Sequence, residues 1–312
     1  MSIAPNTRRN YDAAVRTYIN FCYHLRLVAF PALEHNLILF CTHLASYSSH
    51  DNIKVHLAAI KHHAIIEGFP TPLKDFDRLY LSVRGIKRSL GSSRSLPKRL
   101  PITPSLLRVI HHNLFNSSRL FQDKIMIWAA ITTAFFGFLR ISEYTSTHKT
   151  SHDPTITLIL SDVSFGLDCV SLNIKASKTD PFRQGVTVRI AANHSFLCPV
   201  AALLSYLPLH PTGLGPLFAF QNKKFLTRSD INTILKDTTN GTANVSSHSL
   251  RIGAASTAAA MGCPKYLIQG MGRWSSDCFK RYIRISDQTI RKASRALARC
   301  KIPVPLDFDP YI

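Results

Sequence analysis

The stretch RSLGSSRSLPKRLPIT, residues 88–103, constrains the fold of this 312-residue chain more than any other segment. It is rich in Ser, Gly and Pro, which favour irregular backbone, and it contains no acidic residue. It therefore predicts a basic linker between two domains, residues 1–87 and 104–312. Its cations, among them Arg94, Lys98 and Arg99, either contact a phosphate backbone or lie on a solvated tether.

The two predicted domains differ in their hydrophobic pattern. In residues 1–87 the apolar residues recur at helical spacing, as in Tyr11, Val15 and Tyr18, which predicts a small helical bundle. The second domain opens with Thr103 and Pro104, a helix cap followed by a first helical residue, and DKIMIWAAITTAFFGFLRISEY then predicts one long buried helix.

Three β-rich pieces follow that long helix: TITLIL, CVSLNI and VTVRI. They predict a small sheet, with the last two strands joined as a hairpin. From PVAALLSYL onward the pattern returns to helices; Thr227 and Asp230 resemble a capping box, and Pro264 opens a short helix that ends near Gly270 and Gly272. The expected fold class is mainly α with a small β-sheet (α+β).

The charge of the chain indicates a polyanionic partner. There are 38 Lys and Arg against 18 Asp and Glu, a net charge of +20 with a pI of about 10.0. Such an excess of positive charge favours nucleic acid as the partner. The apolar runs are too short and too interrupted to span a bilayer, and we recognise no secretory signal, so we expect a soluble protein without a membrane partner.

The cysteines indicate a reducing compartment. There are seven, an odd number at scattered positions, which does not suit a disulfide framework and favours an intracellular protein. The pairs Cys22-x-His24 and Cys41-x-His43 lack the spacing of structural zinc ligands. We therefore predict buried thiols and surface histidines there, and no metal site.

The run SSHSLRIGAAS, residues 246–256, places His248 and Arg251 three positions apart at the start of an Ala-rich segment. Three residues are nearly one helical turn, so both side chains would project from one face and reach one anion. In the alternative interpretation His248 caps the first turn and Arg251 extends to solvent.

Four separated pieces together resemble the tyrosine recombinase (phage integrase) superfamily. In chain order they are FGFLRISEY, KASKTDPFRQG, HSLR and MGRWSSDCFKRYIR. The residue patterns of the second and fourth are similar to those of recombinases from eukaryotic mobile elements of the Crypton and DIRS/Ngaro type. The resemblance implies an N-terminal helical core-binding (SAM-like) domain and a catalytic domain that close around double-stranded DNA as a C-shaped clamp. It also implies a homotetramer on two duplexes, and a nuclear location in a eukaryotic host.

The resemblance assigns a role to each residue of the site. Arg140 and Arg251 would bind the non-bridging oxygens of one scissile phosphate, and planar guanidinium groups suit that task. Tyr282 would attack phosphorus and form a 3′-phosphotyrosine, with His248 as the acceptor of its proton. Lys178, with Lys175 as a weaker candidate, would protonate the leaving 5′ oxygen. The reaction needs no metal, no ATP and no other cofactor.

Two supporting positions remain open. Glu143 lies one turn after Arg140 and is expected to orient it or its neighbours. The family usually has His or Trp nine residues before the nucleophile, but here that residue is Arg273 and the Trp is its neighbour Trp274. Either the turn is shifted by one residue, or Arg273 contacts the phosphate while Trp274 packs beneath it.

Residues 273–301 are strongly basic, and within them QTIRKASRALARC, residues 288–300, predicts a terminal helix that either docks on its own chain or packs on a neighbouring protomer of the tetramer. Strand cleavage and rejoining for the mobilisation of a transposable element is the function that the resemblance implies. One alternative is a type IB topoisomerase-like nicking and closing enzyme. Another is an architectural DNA-binding protein that has kept the fold and lost the chemistry.

Overall fold

The computed structural model describes residues 3–70, 75–90, 99–177, 180, 182–213, 215–241, 244–285, 287, 290–291 and 294–295. It divides the chain into two compact units, residues 1–98 and residues 99–312. The mainly helical α+β fold class is confirmed. Lys178, Arg94, Lys98 and most of the predicted terminal helix lie outside the described residues.

The first unit is a bundle of four helices within its described residues: α1 (Pro5–His24), α2 (Glu34–Ala45), α3 (His50–Ile66) and α4 (Asp77–Leu90). Its core contains Tyr18, Leu37, Phe40, Ile53 and Ile60, all buried. The helices carry local signals, since Ser49 caps α3 by accepting the Asn52 N–H at 3.3 Å. Helix α4 ends at Leu90, three residues beyond the predicted domain boundary at residue 87.

The two Cys-x-His pairs of this unit are arranged as predicted. Cys22 and Cys41 are buried in the core, whereas His24 and His43 are exposed. Among the described residues of the whole chain, no three His, Cys, Asp or Glu lie together in a group that could hold a metal ion. None of the helices in the described segments has the length and apolar character needed to cross a membrane.

The second unit surrounds a three-stranded antiparallel sheet with helices. In chain order its elements are α5 (Pro104–Phe115), α6 (Phe121–Phe136), α7 (Ile141–Tyr144), β1 (Val163–Phe165), β2 (Cys169–Ile174), β3 (Val186–Ala191), α8 (Pro199–Tyr206), α9 (Arg228–Thr238), α10 (Ser247–Ala260) and α11 (Lys265–Met271). The strand order is β1-β2-β3, with Leu172 opposite Val188 in the predicted hairpin. Helix α6 packs between α8 and α10, and its middle is buried on all sides.

Local signals place several of these elements as predicted. Thr103 accepts the Leu106 N–H at 3.3 Å and caps α5, with Pro104 as its first residue. At the start of α9, Thr227 donates its N–H to the Asp230 carboxylate at 3.0 Å and forms the predicted capping box. Side chains that satisfy the first free N–H groups of a helix fix where it begins.

Two sequence predictions were wrong in this unit. TITLIL, residues 155–160, does not form a strand of the sheet. Its first residues turn, with Asp153 accepting the Thr155 N–H at 2.9 Å, and its last residues form an isolated bridge between Ile159 and Pro216, in which the Leu158 carbonyl accepts the Leu217 N–H at 2.8 Å. The long helix breaks after Phe136, because the backbone turns at Gly137 and α7 starts separately.

Candidate active site

Two helix ends meet beside the start of α10. Each of α6 and α11 ends in a Schellman turn, and in each turn the residue with left-handed backbone is not the usual glycine: it is Phe138, with φ 49°, after α6 and Arg273, with φ 52°, after α11. A left-handed non-glycine residue costs about 1–2 kcal/mol. The turns leave the carbonyl groups of Phe138 and Gly272 free to accept hydrogen bonds from a common donor.

That donor is Arg251 of α10. Its guanidinium group donates to the carbonyl oxygens of Phe138 and Gly272, and it lies 4.4 Å from the ring centroid of Trp274. Arg251 is only 1% exposed, so the interpretation in which it extends to solvent was wrong. Burial, followed by the charge of Arg140, lowers the pKa of Arg251 to about 10, which leaves it charged at neutral pH.

Glu143 holds two further arginines. Its carboxylate accepts the Arg140 backbone N–H at 2.8 Å and the Arg140 guanidinium at 3.0 Å, and it pairs with the Arg273 guanidinium at 2.5 Å. Glu143 is 1% exposed. We call Arg140, Arg251, Arg273 and Glu143 the inner cluster; it contains three positive charges and one negative charge.

Arg273 and Trp274 divide two tasks between them. The side chain of Arg273 turns back to Glu143 and to the Gly137 carbonyl, which it reaches at 3.4 Å. Trp274 is buried, with its ring centroid 5.0 Å from that of Tyr282, and it stacks on the Arg251 guanidinium. Trp274 is thus the residue next to the candidate nucleophile, while Arg273 adds a third guanidinium group to the inner cluster.

Tyr282 follows a short 3₁₀ helix, Asp277–Arg281, and faces the other candidate residues. Its ring centroid lies 5.1 Å from the His248 ring and 5.8 Å from the Arg251 guanidinium. Ser256 of α10 fixes the backbone here: its hydroxyl donates to the Tyr282 carbonyl at 3.1 Å and accepts the Arg284 N–H at 2.9 Å. The tyrosine therefore enters the site from its own chain.

His248 lies at the first turn of α10, on the same face as Arg251, as the three-residue spacing predicted. Burial, followed by the charges of Arg99, Arg251, Arg228 and Arg284, lowers the pKa of His248 to about 4. At neutral pH its imidazole is therefore uncharged.

The residues just before α5 lie against α10. The Ile102 N–H donates to the Ser249 carbonyl at 3.0 Å, and the Leu100 N–H donates to the Asn244 carbonyl at 3.0 Å. Gly253 makes this packing possible, because a Cβ atom at that position would lie 1.8 Å from the Ile102 carbonyl oxygen. The contact places Arg99, at the end of the predicted linker, beside His248.

The structure describes one of the two candidate lysines of the hairpin between β2 and β3. Lys175 forms an ion pair with Asp162 at 2.6 Å, which ties its ammonium group to the sheet. Asp180 accepts the N–H groups of Gln184 at 3.1 Å and of Gly185 at 2.8 Å and so closes the turn. Lys178 lies outside the described residues, and its role as the acid stays a prediction.

Four residues around the site had no role in the sequence analysis: Arg228, Ser256, Arg281 and Arg284. Arg281 and Arg284 flank Tyr282 directly, so their proximity to it is a local signal that could have identified them. Ser256 and Arg228 come from α10 and α9, and only the packing of these helices reveals their proximity to the site.

Comparison with solved structures places this architecture among known folds. The Tn1549 transposon integrase in complex with transposon right end DNA matches with a TM-score of 0.63 at 14% identity, covering 95% of each chain. A lambda integrase dimer bound to a COC′ core site matches with a TM-score of 0.61 at 15% identity, covering 91% of this chain and 90% of that one.

The XerH site-specific recombinase bound to palindromic difH substrate also matches, with a TM-score of 0.58 at 14% identity over 91% of this chain and 76% of that one. No protein-family model and no curated protein matches the sequence. At such low identity the similarity is one of architecture. The chain therefore has the fold of the tyrosine recombinases and integrases.

Proposed function

We propose that this protein is a site-specific DNA recombinase or integrase that cleaves and rejoins DNA strands through Tyr282. The observation that carries this proposal is the position of Tyr282, whose ring lies beside both an uncharged His248 and the buried guanidinium of Arg251. A nucleophile, a base and a cation fixed for an anionic substrate are what phosphoryl transfer to a protein side chain requires.

In the proposed step the Tyr282 oxygen attacks phosphorus, and the bond from phosphorus to the 5′ oxygen breaks. The tyrosine proton passes to His248, and Lys178 supplies a proton to the departing 5′ oxygen. Arg140 and Arg251 stabilise the charge that develops on the non-bridging oxygens. The product is a 3′-phosphotyrosine ester, and attack by a 5′ hydroxyl of another strand reverses the step without ATP.

Further parts of the proposal concern the DNA and the assembly. The net charge of +20 and the DNA-bound structural neighbours support duplex DNA as the partner, with Arg94, Lys98 and Arg99 on its phosphates. Residues 1–87 would serve as a core-binding domain that closes a C-shaped clamp with the catalytic domain. We further propose a homotetramer on two duplexes that mobilises a transposable element, in the nucleus of a eukaryotic host.

The test uses a duplex with a nick close to the cleavage site, so that the short 5′-hydroxyl fragment leaves and the adduct accumulates. The unaltered protein is expected to form a covalent complex that survives a denaturing gel, and Tyr282→Phe is expected to bind DNA equally well and form none. Tyr266→Phe is the matched control, since Tyr266 is an exposed tyrosine of α11. Loss of the adduct in both variants, or in neither, would refute the proposal.

The same preparation separates the alternatives. A topoisomerase-like enzyme would relax supercoiled DNA and form the adduct, but it would not exchange strands between two duplexes. An architectural protein that has lost the chemistry would bind without any adduct. Exchange of labelled strands between duplexes, abolished by Tyr282→Phe, is the result that the proposal predicts.

A further inference from the structure

An open pocket of about 280 Å³ lies beside Tyr282, and none of the four inner-cluster residues lines it. We call it the outer pocket. It is lined by Arg99, His248, Ile252, Arg281, Tyr282 and Arg284. Three of these residues are arginines and none is acidic, so the pocket concentrates positive charge around a largely apolar floor.

The arginines of the outer pocket have no carboxylate partner within the described part of the chain. Among the described residues Arg99, Arg281 and Arg284 form no ion pair. The Arg284 side chain donates to the Arg281 carbonyl at 2.6 Å, but its Nε is buried with no hydrogen-bond partner in the described structure. A buried donor without a partner destabilises the protein, and an anion in the pocket would satisfy it.

The pocket is nevertheless built by fixed backbone. Arg99 is positioned by the packing of Ile102 on Gly253, which allows no side chain at residue 253. Arg281 and Arg284 are positioned by Ser256, whose hydroxyl bridges the backbone of residues 282 and 284. Both walls are therefore anchored on α10, the helix that also carries His248 and Arg251.

We propose that the outer pocket binds a second backbone phosphate of the cleaved strand, a neighbour of the scissile phosphate. Guanidinium groups suit this ligand because they donate two parallel hydrogen bonds to phosphate oxygens. Ile252 offers an apolar surface to the deoxyribose between the two phosphates. This inference rests on the proposed function, and it assigns the pocket the task of setting the strand's register against Tyr282.

The environment of His248 supports a positive potential on this side of the tyrosine. After burial, the largest influence on the pKa of His248 is the charge of Arg99, ahead of that of Arg251, and Arg284 acts in the same direction. Since His248 itself is uncharged at neutral pH, it adds no positive charge of its own. The anion would be held by the three arginines.

The test is a coupling measurement between protein and DNA in a Tyr282→Phe background, where binding is read without cleavage. Duplexes carry a single uncharged methylphosphonate at each position next to the scissile phosphate in turn. One such position is expected to weaken binding by about tenfold or more, the usual strength of a hydrogen bond to a charged group. When Arg281→Ala and Arg284→Ala are added, binding to natural DNA should weaken by a similar factor. Placing the methylphosphonate at that position should then weaken binding by this variant less than twofold further.

Arg108→Ala with Arg119→Ala is the matched control, because it removes the same charge from the catalytic unit outside this pocket. In that control the methylphosphonate should keep its full effect. Independent, multiplicative losses in the Arg281 and Arg284 variant would overturn the proposal. The proposal would also be overturned if no methylphosphonate weakened binding by the Tyr282→Phe protein alone. That result could not come from a folding change in the pocket, because the pocket arginines are unaltered there.

The two proposals fail in different ways. If the nicked duplex gives an adduct on Tyr282 but the coupling is absent, the second phosphate site is wrong and the recombinase function stands. If the coupling is present but no adduct forms with the unaltered protein, the pocket binds a DNA phosphate and the proposed chemistry is wrong. The coupling experiment needs only the full chain and synthetic duplexes.

Discussion

The inner cluster and the outer pocket use the same residue type in opposite ways. In the inner cluster every guanidinium has a protein partner: Arg140 and Arg273 bind Glu143, and Arg251 binds the carbonyl groups at two helix ends. In the outer pocket the arginines have no acidic partner among the described residues. The inner guanidinium groups are held by protein partners, although the Nε atoms of Arg251 and Arg273 are buried without a hydrogen-bond partner in the described structure, whereas the outer arginines form no ion pair among the described residues and border an open pocket.

This difference has a physical reason. A charge that is removed from water must be compensated by partners in fixed geometry, and Arg251 at 1% exposure is compensated by carbonyl groups and an aromatic ring. The exposed Arg99 and Arg281 keep their hydration and need no such partner. In the proposed function the inner arginines would be preorganised for the transition state, and the outer ones would contribute to binding.

The largest expected effect belongs to the proposed acid. Lys178→Ala should slow cleavage of an ordinary phosphodiester by about 10²–10⁴-fold, because the 5′ oxygen leaves without its proton. A substrate with sulfur in place of that oxygen should be cleaved at a nearly normal rate, since a thiolate needs no proton to leave. Single-turnover rates on both substrates provide the measurement. If the sulfur-containing substrate instead restored cleavage by Lys175→Ala, Lys175 would be the acid, despite its ion pair with Asp162.

The second prediction separates the two regions directly. Arg251→Ala should lower the single-turnover cleavage rate at saturating DNA by about 10²–10³-fold, as expected when one group that stabilises transition-state charge is lost. Arg281→Ala should mainly weaken DNA binding, with its rate at saturation close to that of the unaltered protein. Equal changes in rate and affinity for both variants would remove the distinction between the regions.

The third prediction concerns the anchor of the outer pocket. Gly253→Ala forces the Ile102 carbonyl away from α10 and should lower the free energy of unfolding by about 1–3 kcal/mol, measured by denaturant titration. Gly270→Ala is the matched control, since a Cβ atom there meets nothing within 4 Å, and its stability should be unchanged or slightly higher. A neutral Gly253→Ala would mean that the segment is not tightly packed.

The smallest expected effect is a shift in the pKa of His248 on Arg99→Ala, which NMR of the imidazole measures. The pKa lies near 4 in the folded protein and about 6.5 in the unfolded chain, so the unfolded state binds the proton first as the pH falls. This group therefore lowers the stability progressively between pH 6.5 and pH 4. Arg99→Ala should raise the pKa of His248, and an unchanged titration would assign the whole shift to burial and other charges.

Local signals made part of this molecule predictable. The caps at Thr103 and Thr227 and the shared face of His248 and Arg251 depend on residues within one turn of each other. The break of the long helix at Gly137 depends on tertiary packing as well, since a Cβ atom at Gly137 would lie 3.0 Å from the Ile190 side chain of β3.

The least predictable parts of the site are those that join distant segments. Arg273 lies 130 residues after Glu143, and the sequence between them contains nothing that indicates their pairing. Arg99 was predicted as a linker cation, and only the close approach of Ile102 to Gly253 places it beside His248. The spacing of Arg273 and Trp274 from Tyr282 left their roles open; in the structure Trp274 lies beside Tyr282 and Arg273 pairs with Glu143, and their roles in the reaction stay a prediction.

The central claim is that Tyr282 attacks a DNA phosphate and retains the 3′ end of the cleaved strand. The most direct measurement is mass spectrometry of the covalent complex after digestion with protease and nuclease. The proposed function predicts one modified peptide, with a nucleotide attached through its 3′ phosphate to the Tyr282 oxygen. Attachment to any other residue, or through a 5′ phosphate, would contradict it.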